Sequence, residues 1–195
     1  MNKPAPARRD PICTTATALL VVDMQEDRVA AGAPLLDAGA LASLDPIRRL
    51  LELARATDIR VVFVAHAHRQ DGSDMGQFAQ LYPAIREGRA LIEGSAGARI
   101  CEQLQPMPHE IVITKRRHSA FHGTDLEIVL SSLSIDTIAA VGPALSHSLL
   151  STMSDAVARD YRTIFVGGPA EAPGAVGAEA LSVDEFANLV MSARI

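Results

Sequence analysis

Cysteine is scarce in this chain: Cys13 and Cys101 are the only two among 195 residues, with no CxxC pair and no Cys/His metal spacing. That argues against a disulfide framework and fits a reducing cytoplasm. No apolar run reaches the length of a membrane span, so no membrane partner is expected. The opening MNKPAPARRDPI carries Pro and Arg but lacks the apolar stretch of a signal peptide. It reads as a frayed tail over residues 1–13, ahead of a single domain over 14–195. Lysine and arginine form no block and the net charge is −5, which speaks against nucleic acid as a partner. There is no GxGxxG, no Walker loop and no HExxH, so nucleotide and zinc-protease chemistry lack support and no cofactor is expected.

What is present is an alternation of strand and helix signals. ALLVVD (18–23) is a continuous apolar run ending in an acid, as in a strand covered on both faces. RVVFVAH (60–66), EIVITK (110–115), DTIAAVG (136–142) and YRTIFVGG (161–168) supply four more strands. Between them, the spacing predicts a helix capped by Asp45 with Pro46 at its first position, and a short helix around 96–105. A capping box of Thr124 and Glu127 is expected to open DLEIVLSSL, and a helix follows from about Ser146 to Asp160. A second box, Ser182 and Glu185, opens a C-terminal helix. This order implies an α/β fold: three layers, with a doubly wound, mostly parallel sheet and helices on both faces.

In such sheets, ligands bind beyond the carboxyl ends of the strands, where the strand order reverses. Asp23 closes the first strand, Lys115 closes the third, and Ser148 lies in the first turn of the helix after the fourth. Three residues able to move protons or attack a carbonyl therefore share one rim. Each taken alone has a plainer reading, such as an acid capping a turn.

The same segments resemble the isochorismatase-like hydrolase superfamily, which includes nicotinamidases and N-carbamoylsarcosine amidases. The resemblance rests on LLVVDMQEDR, on ITKRRHSAFHGTDLEIVL and on VGPALSHSLLSTMSDA, and spans about residues 16–190. It implies that Asp23 is the proton-transferring acid or base, that Lys115 is its cationic partner, and that a small molecule is the substrate. It also implies a cis peptide at Pro143–Ala144 beside the oxyanion site, pocket roles for Phe121 and Ala144, and assembly as a homodimer or homotetramer.

Position 148 departs from the family. Its amidases carry a cysteine there, and this chain has Ser148. Neither Cys13 nor Cys101 is placed to substitute, so a direct thiol mechanism is ruled out. Three readings follow. In the first, Asp23 protonates a vinyl ether and Ser148 shapes the pocket. In the second, the protein is a weak or inactive member that binds a small molecule or partner. In the third, Ser148 itself attacks an amide or ester. His66 and His68 fall on one side of a strand, a spacing usable by a metal. The family's metal-binding Asp is absent, so substrate contacts by His66, His68, Arg69 and His118 are expected in place of a metal site. His147 adjoins Ser148 but cannot face it on a helix.

Overall fold

The computed structural model describes residues 11–143, 146–167 and 177–192. Six strands form one sheet: β1 (Thr17–Val22), β2 (Arg60–His66), β3 (Ile111–Lys115), β4 (Thr137–Val141), β5 (Arg162–Val166) and β6 (Glu179–Leu181). Their order is β3-β2-β1-β4-β5-β6, and every pairing is parallel. The chain builds outward from β1 to β3, then crosses back to lay β4 on the other side of β1. That reversal between β1 and β4 is the switch point at which such sheets hold ligands.

The strand sequences explain their place. All six residues of β1 and all five of β4 are buried, which suits runs of Val, Leu, Ile and Ala but would suit no alternating pattern. Two cores result, one on each face of the sheet. On one face Leu19, Val21, Phe63 and Ile164 pack against the helices α2 (Ala38–Arg55) and α7 (Val183–Ser192). On the other, Leu20, Val64, Ile138 and Phe165 pack against α5 (Leu126–Ser132) and α6 (His147–Val157). The expected three-layer α/β arrangement is what the chain adopts. No helix among the described residues is long and apolar enough to cross a membrane.

Several local expectations are corrected. The helix expected at Asp45 begins earlier, because Asp37 accepts hydrogen bonds from the Gly39 and Ala40 amides at 2.7 and 3.2 Å. Pro46 thus lies inside α2, and Asp45 pairs with Arg48 at 3.1 Å instead of capping. Burial of Ala40, Ile47, Leu50, Leu51 and Ala54 along one stripe offsets the lost backbone bond. The Thr124–Glu127 box does not form: Asp125 is the N-cap, Thr124 hydrogen-bonds to the Ala120 carbonyl, and Glu127 pairs with Arg159. Around 96–105 only a 3₁₀ turn, Glu102–Leu104, is helical, because Ile100 is drawn into a bridge with Gln25. β6 has no counterpart among the five expected strands, because the three residues Glu179–Leu181 are too few to carry a periodic signal. Ile12, within the expected tail, is buried in the core. The Ser182–Glu185 box is present, with both reciprocal bonds made.

Candidate active site

Strand register does most of the positioning. His66 and Lys115 are paired residues at the carboxyl ends of β2 and β3, so their side chains rise from adjacent strands on the same side. Asp23 is the first residue past β1 and has a left-handed backbone, φ +56°. Few non-glycine residues adopt that conformation, and Asp is among the more tolerant. The turn lets the Asp23 amide continue the ladder to the Val64 carbonyl at 2.8 Å while its carboxylate swings under the rim. Ser148 arrives from the second position of α6, a helix started by the Ser146 hydroxyl accepting from the Leu149 amide at 3.1 Å.

These elements bring Asp23, Lys115 and Ser148 together. The Lys115 ammonium lies 3.0 Å from Asp23 Oδ1 and donates to Asp23 Oδ2 at 3.4 Å and to Ser148 Oγ and His66 Nδ1, each at 3.0 Å. All three hydrogens of the ammonium therefore have an acceptor, which is how a lysine with no exposed surface is accommodated. Arg28, on the short helix α1 (Glu26–Val29), adds a second cation 3.6 Å from the same carboxylate.

The charges follow from this geometry. Burial pushes the Asp23 carboxyl up, but Lys115 and Arg28 outweigh it and hold the group well below the usual carboxylate range. Burial depresses Lys115, with Asp23 opposing. His66 is pushed down to about 2 by burial and by the Lys115 charge, so its imidazole is neutral.

Gln25, which sequence reasoning did not single out, braces the site. Its side-chain amide accepts from the His66 N–H at 2.8 Å and donates to the His66 and Ala98 carbonyls at 2.8 and 2.6 Å. It acts as a length of false β-strand. Gly142, just past β4, is required by close approach: a Cβ there would lie 2.6 Å from the Val22 carbonyl oxygen. Above the cluster, Phe78 of α3 (Phe78–Leu81) stacks on His66 at 4.8 Å, His68 at 5.3 Å and His118 at 5.0 Å. Nothing in the irregular pattern of 66–95 pointed to Phe78. Gln25 and Arg28, by contrast, belong to the MQEDR that follows Asp23's strand.

The other expected residues are distributed unevenly. His68 is fully buried, with its Nε2 3.0 Å from His66 Nε2 and its Nδ1 3.2 Å from Asp74. His118 borders the cluster and stacks near His147 at 5.4 Å, while His147 itself is exposed. Arg69 is exposed and uses its backbone amide, not its guanidinium, to bind Asp74. Phe121 is corrected from pocket to core: its ring packs beside Tyr161 and beneath Arg159, in the layer between the sheet and α5 and α6. Ala144 and the Pro143–Ala144 peptide lie outside the described residues. Cys101 is buried in the core and its thiol is pushed up to about 11 by burial, which makes it inert. No three His, Cys, Asp or Glu residues converge as metal ligands among the described residues.

A doubly wound parallel sheet that gathers an ionised acid, a buried ammonium and a helix start at its switch point is a site arranged for small-molecule chemistry. An isochorismatase domain matches residues 17–187, and the chain belongs to that family. It is 31% identical over 151 residues to a probable inactive nicotinamidase of Arabidopsis thaliana, covering 77% of each chain. It is 30% identical to the maleamate amidohydrolase of Pseudomonas putida, covering 76% of this chain and 69% of that one. Among solved structures, a cysteine hydrolase from Pseudomonas syringae pv. phaseolicola superposes with a TM-score of 0.85 at 28% identity, covering 98% of this chain and 100% of the other.

Proposed function

We propose that the protein hydrolyses the C–N bond of a small amide or carbamoyl compound without a thiol, using Asp23 as base and Ser148 as nucleophile. The observation that carries this is the position of the Ser148 hydroxyl, which accepts from the Lys115 ammonium at 3.0 Å beside an ionised Asp23. With its oxygen turned to Lys115, the hydroxyl has its proton free for the carboxylate.

The reaction then runs in two halves. Asp23 takes the Ser148 proton as Oγ attacks the carbonyl carbon, and the developing oxyanion is held by first-turn amides of α6. Collapse expels the amine, which takes the proton back from Asp23. Asp23 then takes a proton from water as its oxygen attacks the acyl ester; collapse releases the acid, and Asp23 returns the proton to Ser148 Oγ. Lys115 keeps Asp23 ionised and lowers the cost of the serine alkoxide.

Support also comes from the relatives. Besides the maleamate amidohydrolase, they include an N-carbamoylsarcosine amidase of Arthrobacter, 31% identical, and ureidoacrylate amidohydrolases at 29–30%. Vinyl-ether cleavage, the first of the three readings above, requires a protonated Asp23. Lys115 and Arg28 work against that proton. A weak or inactive binder remains the second reading, because Asp23, Lys115 and Ser148 are all buried and the chain lacks the thiol. Assembly as a homodimer or homotetramer in the cytoplasm belongs to the same proposal; light scattering that shows only monomer refutes the assembly.

The test is turnover on a panel of small amides and carbamoyl compounds, with isochorismate as the contrasting substrate. We expect amide turnover that is abolished equally in Ser148→Ala and Asp23→Ala, because members of one unit fail together. Mass spectrometry of the quenched enzyme should find the acyl group on Ser148. Ser148→Ala that keeps most of the rate while Asp23→Ala loses it would overturn the nucleophile. A wild type that binds an amide but turns over none would establish the binder instead.

A further inference from the structure

His68 and Asp74 take no part in the chemistry proposed above, yet they form an unbroken line of contacts to it. Lys115 Nζ lies 3.0 Å from His66 Nδ1, His66 Nε2 lies 3.0 Å from His68 Nε2, and His68 Nδ1 lies 3.2 Å from Asp74 Oδ1. The direction of every bond is fixed from both ends. An ammonium has no lone pair, so His66 Nδ1 must accept from Lys115. A neutral His66 then carries its hydrogen on Nε2 and donates it to His68 Nε2. That leaves the His68 hydrogen on Nδ1, where a carboxylate receives it. Read from the other end, starting at Asp74, the same tautomers result.

Asp74 is fastened for this task. Arg116 Nε lies 2.7 Å from its Oδ2, and the Arg69 backbone amide lies 3.2 Å from each carboxylate oxygen. Those donors can face only an acceptor, so the carboxylate is held as an anion with one lone pair presented to His68. Phe78 covers both imidazoles and excludes water, which could donate or accept and so scramble the order. The opposite order would set a His66 Nδ1–H directly against the Lys115 ammonium, forcing it to move or lose its proton.

We infer that Asp74 and His68 are positioning residues: they fix the tautomer of His66 and thereby aim the Lys115 ammonium between Asp23 and Ser148. The kinetic part of this role rests on the proposed use of Lys115 as the cation of the reaction. The tautomer order does not. Asp74 contacts neither Lys115 nor Ser148 in any bond described above, and it acts through two rings.

The full chain labelled with 15N-histidine allows the order to be read directly from long-range proton–nitrogen correlations near neutral pH. The wild type should show His66 protonated on Nε2 and His68 on Nδ1. Asp74→Ala should change the His68 tautomer and, with it, that of His66. Where an amide substrate is turned over, the same variant should lose about tenfold or more in kcat with little change in KM. A wild-type His66 protonated on Nδ1 overturns the inference even if Asp74→Ala fails to fold. So does an unchanged His66 in a folded Asp74→Ala. If spectra agree but kcat of the variant is unaltered, the positioning role is refuted and the amidase reading stands. If no amide is turned over, that reading fails while the spectra still decide the tautomer order.

Discussion

Replacing Asp23 with Asn keeps the shape of the site and removes one charge, which isolates the electrostatics. The carboxylate lies 3.0 Å from the Lys115 ammonium, a separation worth about 5 kcal/mol at an effective dielectric near 20. Lys115 has no exposed surface, so in the variant its charge is buried beside Arg28 with no anion. It can escape by releasing its proton, which costs about 5 kcal/mol at pH 7 relative to an ordinary lysine. The loss is therefore capped, and Asp23→Asn should cost about 3–5 kcal/mol in urea unfolding at that pH. The sign of the pH dependence follows. With Lys115 depressed in the folded state, the unfolded chain binds more protons, so stability rises with pH up to the ordinary lysine range. Raising the pH from about 7 to about 9.5 should return up to roughly 3 kcal/mol to the variant. In the wild type, Asp23 keeps the proton on Lys115, so that rise is confined to higher pH. The Asp23 contribution itself is present above about pH 4 and is lost as pH falls below it, because its folded value is lowered. A variant that loses less than about 1 kcal/mol, or whose stability is flat or falling between those pH values, would refute the account of Lys115 as a buried cation held by Asp23.

Two structural predictions accompany it. Gly142→Ala brings a Cβ within 2.6 Å of the Val22 carbonyl oxygen and should cost about 1–3 kcal/mol by thermal unfolding; an unchanged midpoint would show that β1 and β4 separate easily there. Gln25→Leu removes the partner of the buried His66 amide and should cost about 1–3 kcal/mol, with hydrogen exchange speeding up first at His66.

The parts of the site visible in the sequence are those that a parallel sheet delivers by rule. Asp23 and Lys115 each end an apolar strand, and Ser148 begins the helix after another, so knowing the layer order was enough to gather them. Asp74 and Phe78 act from the irregular stretch after β2, and Gln25 acts through backbone groups of His66 and Ala98, so nothing local marks their roles; Arg28 follows Asp23 closely, but only the turn after β1 brings its guanidinium to that carboxylate. Phe121 shows the opposite error. It lies beside Ser119 and Ala120 in a conspicuous motif, but packing between Tyr161 and Arg159 decides its side. Pro46 misled for a related reason: proline favours a helix start, and here a better cap at Asp37 and a buried apolar stripe outweigh it.

The strand order has a consequence for the chain as it is made. β1, β2 and β3 can pair among themselves once residues through Lys115 exist, but the other edge of β1 waits for β4, whose first residue is Thr137. Until then the open edge is TALLVV, six residues without a charge, a proline or a bulge to protect it. A polypeptide arrested between those points would offer a sticky template to its neighbours on a polysome. Fragments ending before residue 137 should therefore collect in inclusion bodies, even though they hold half of the sheet.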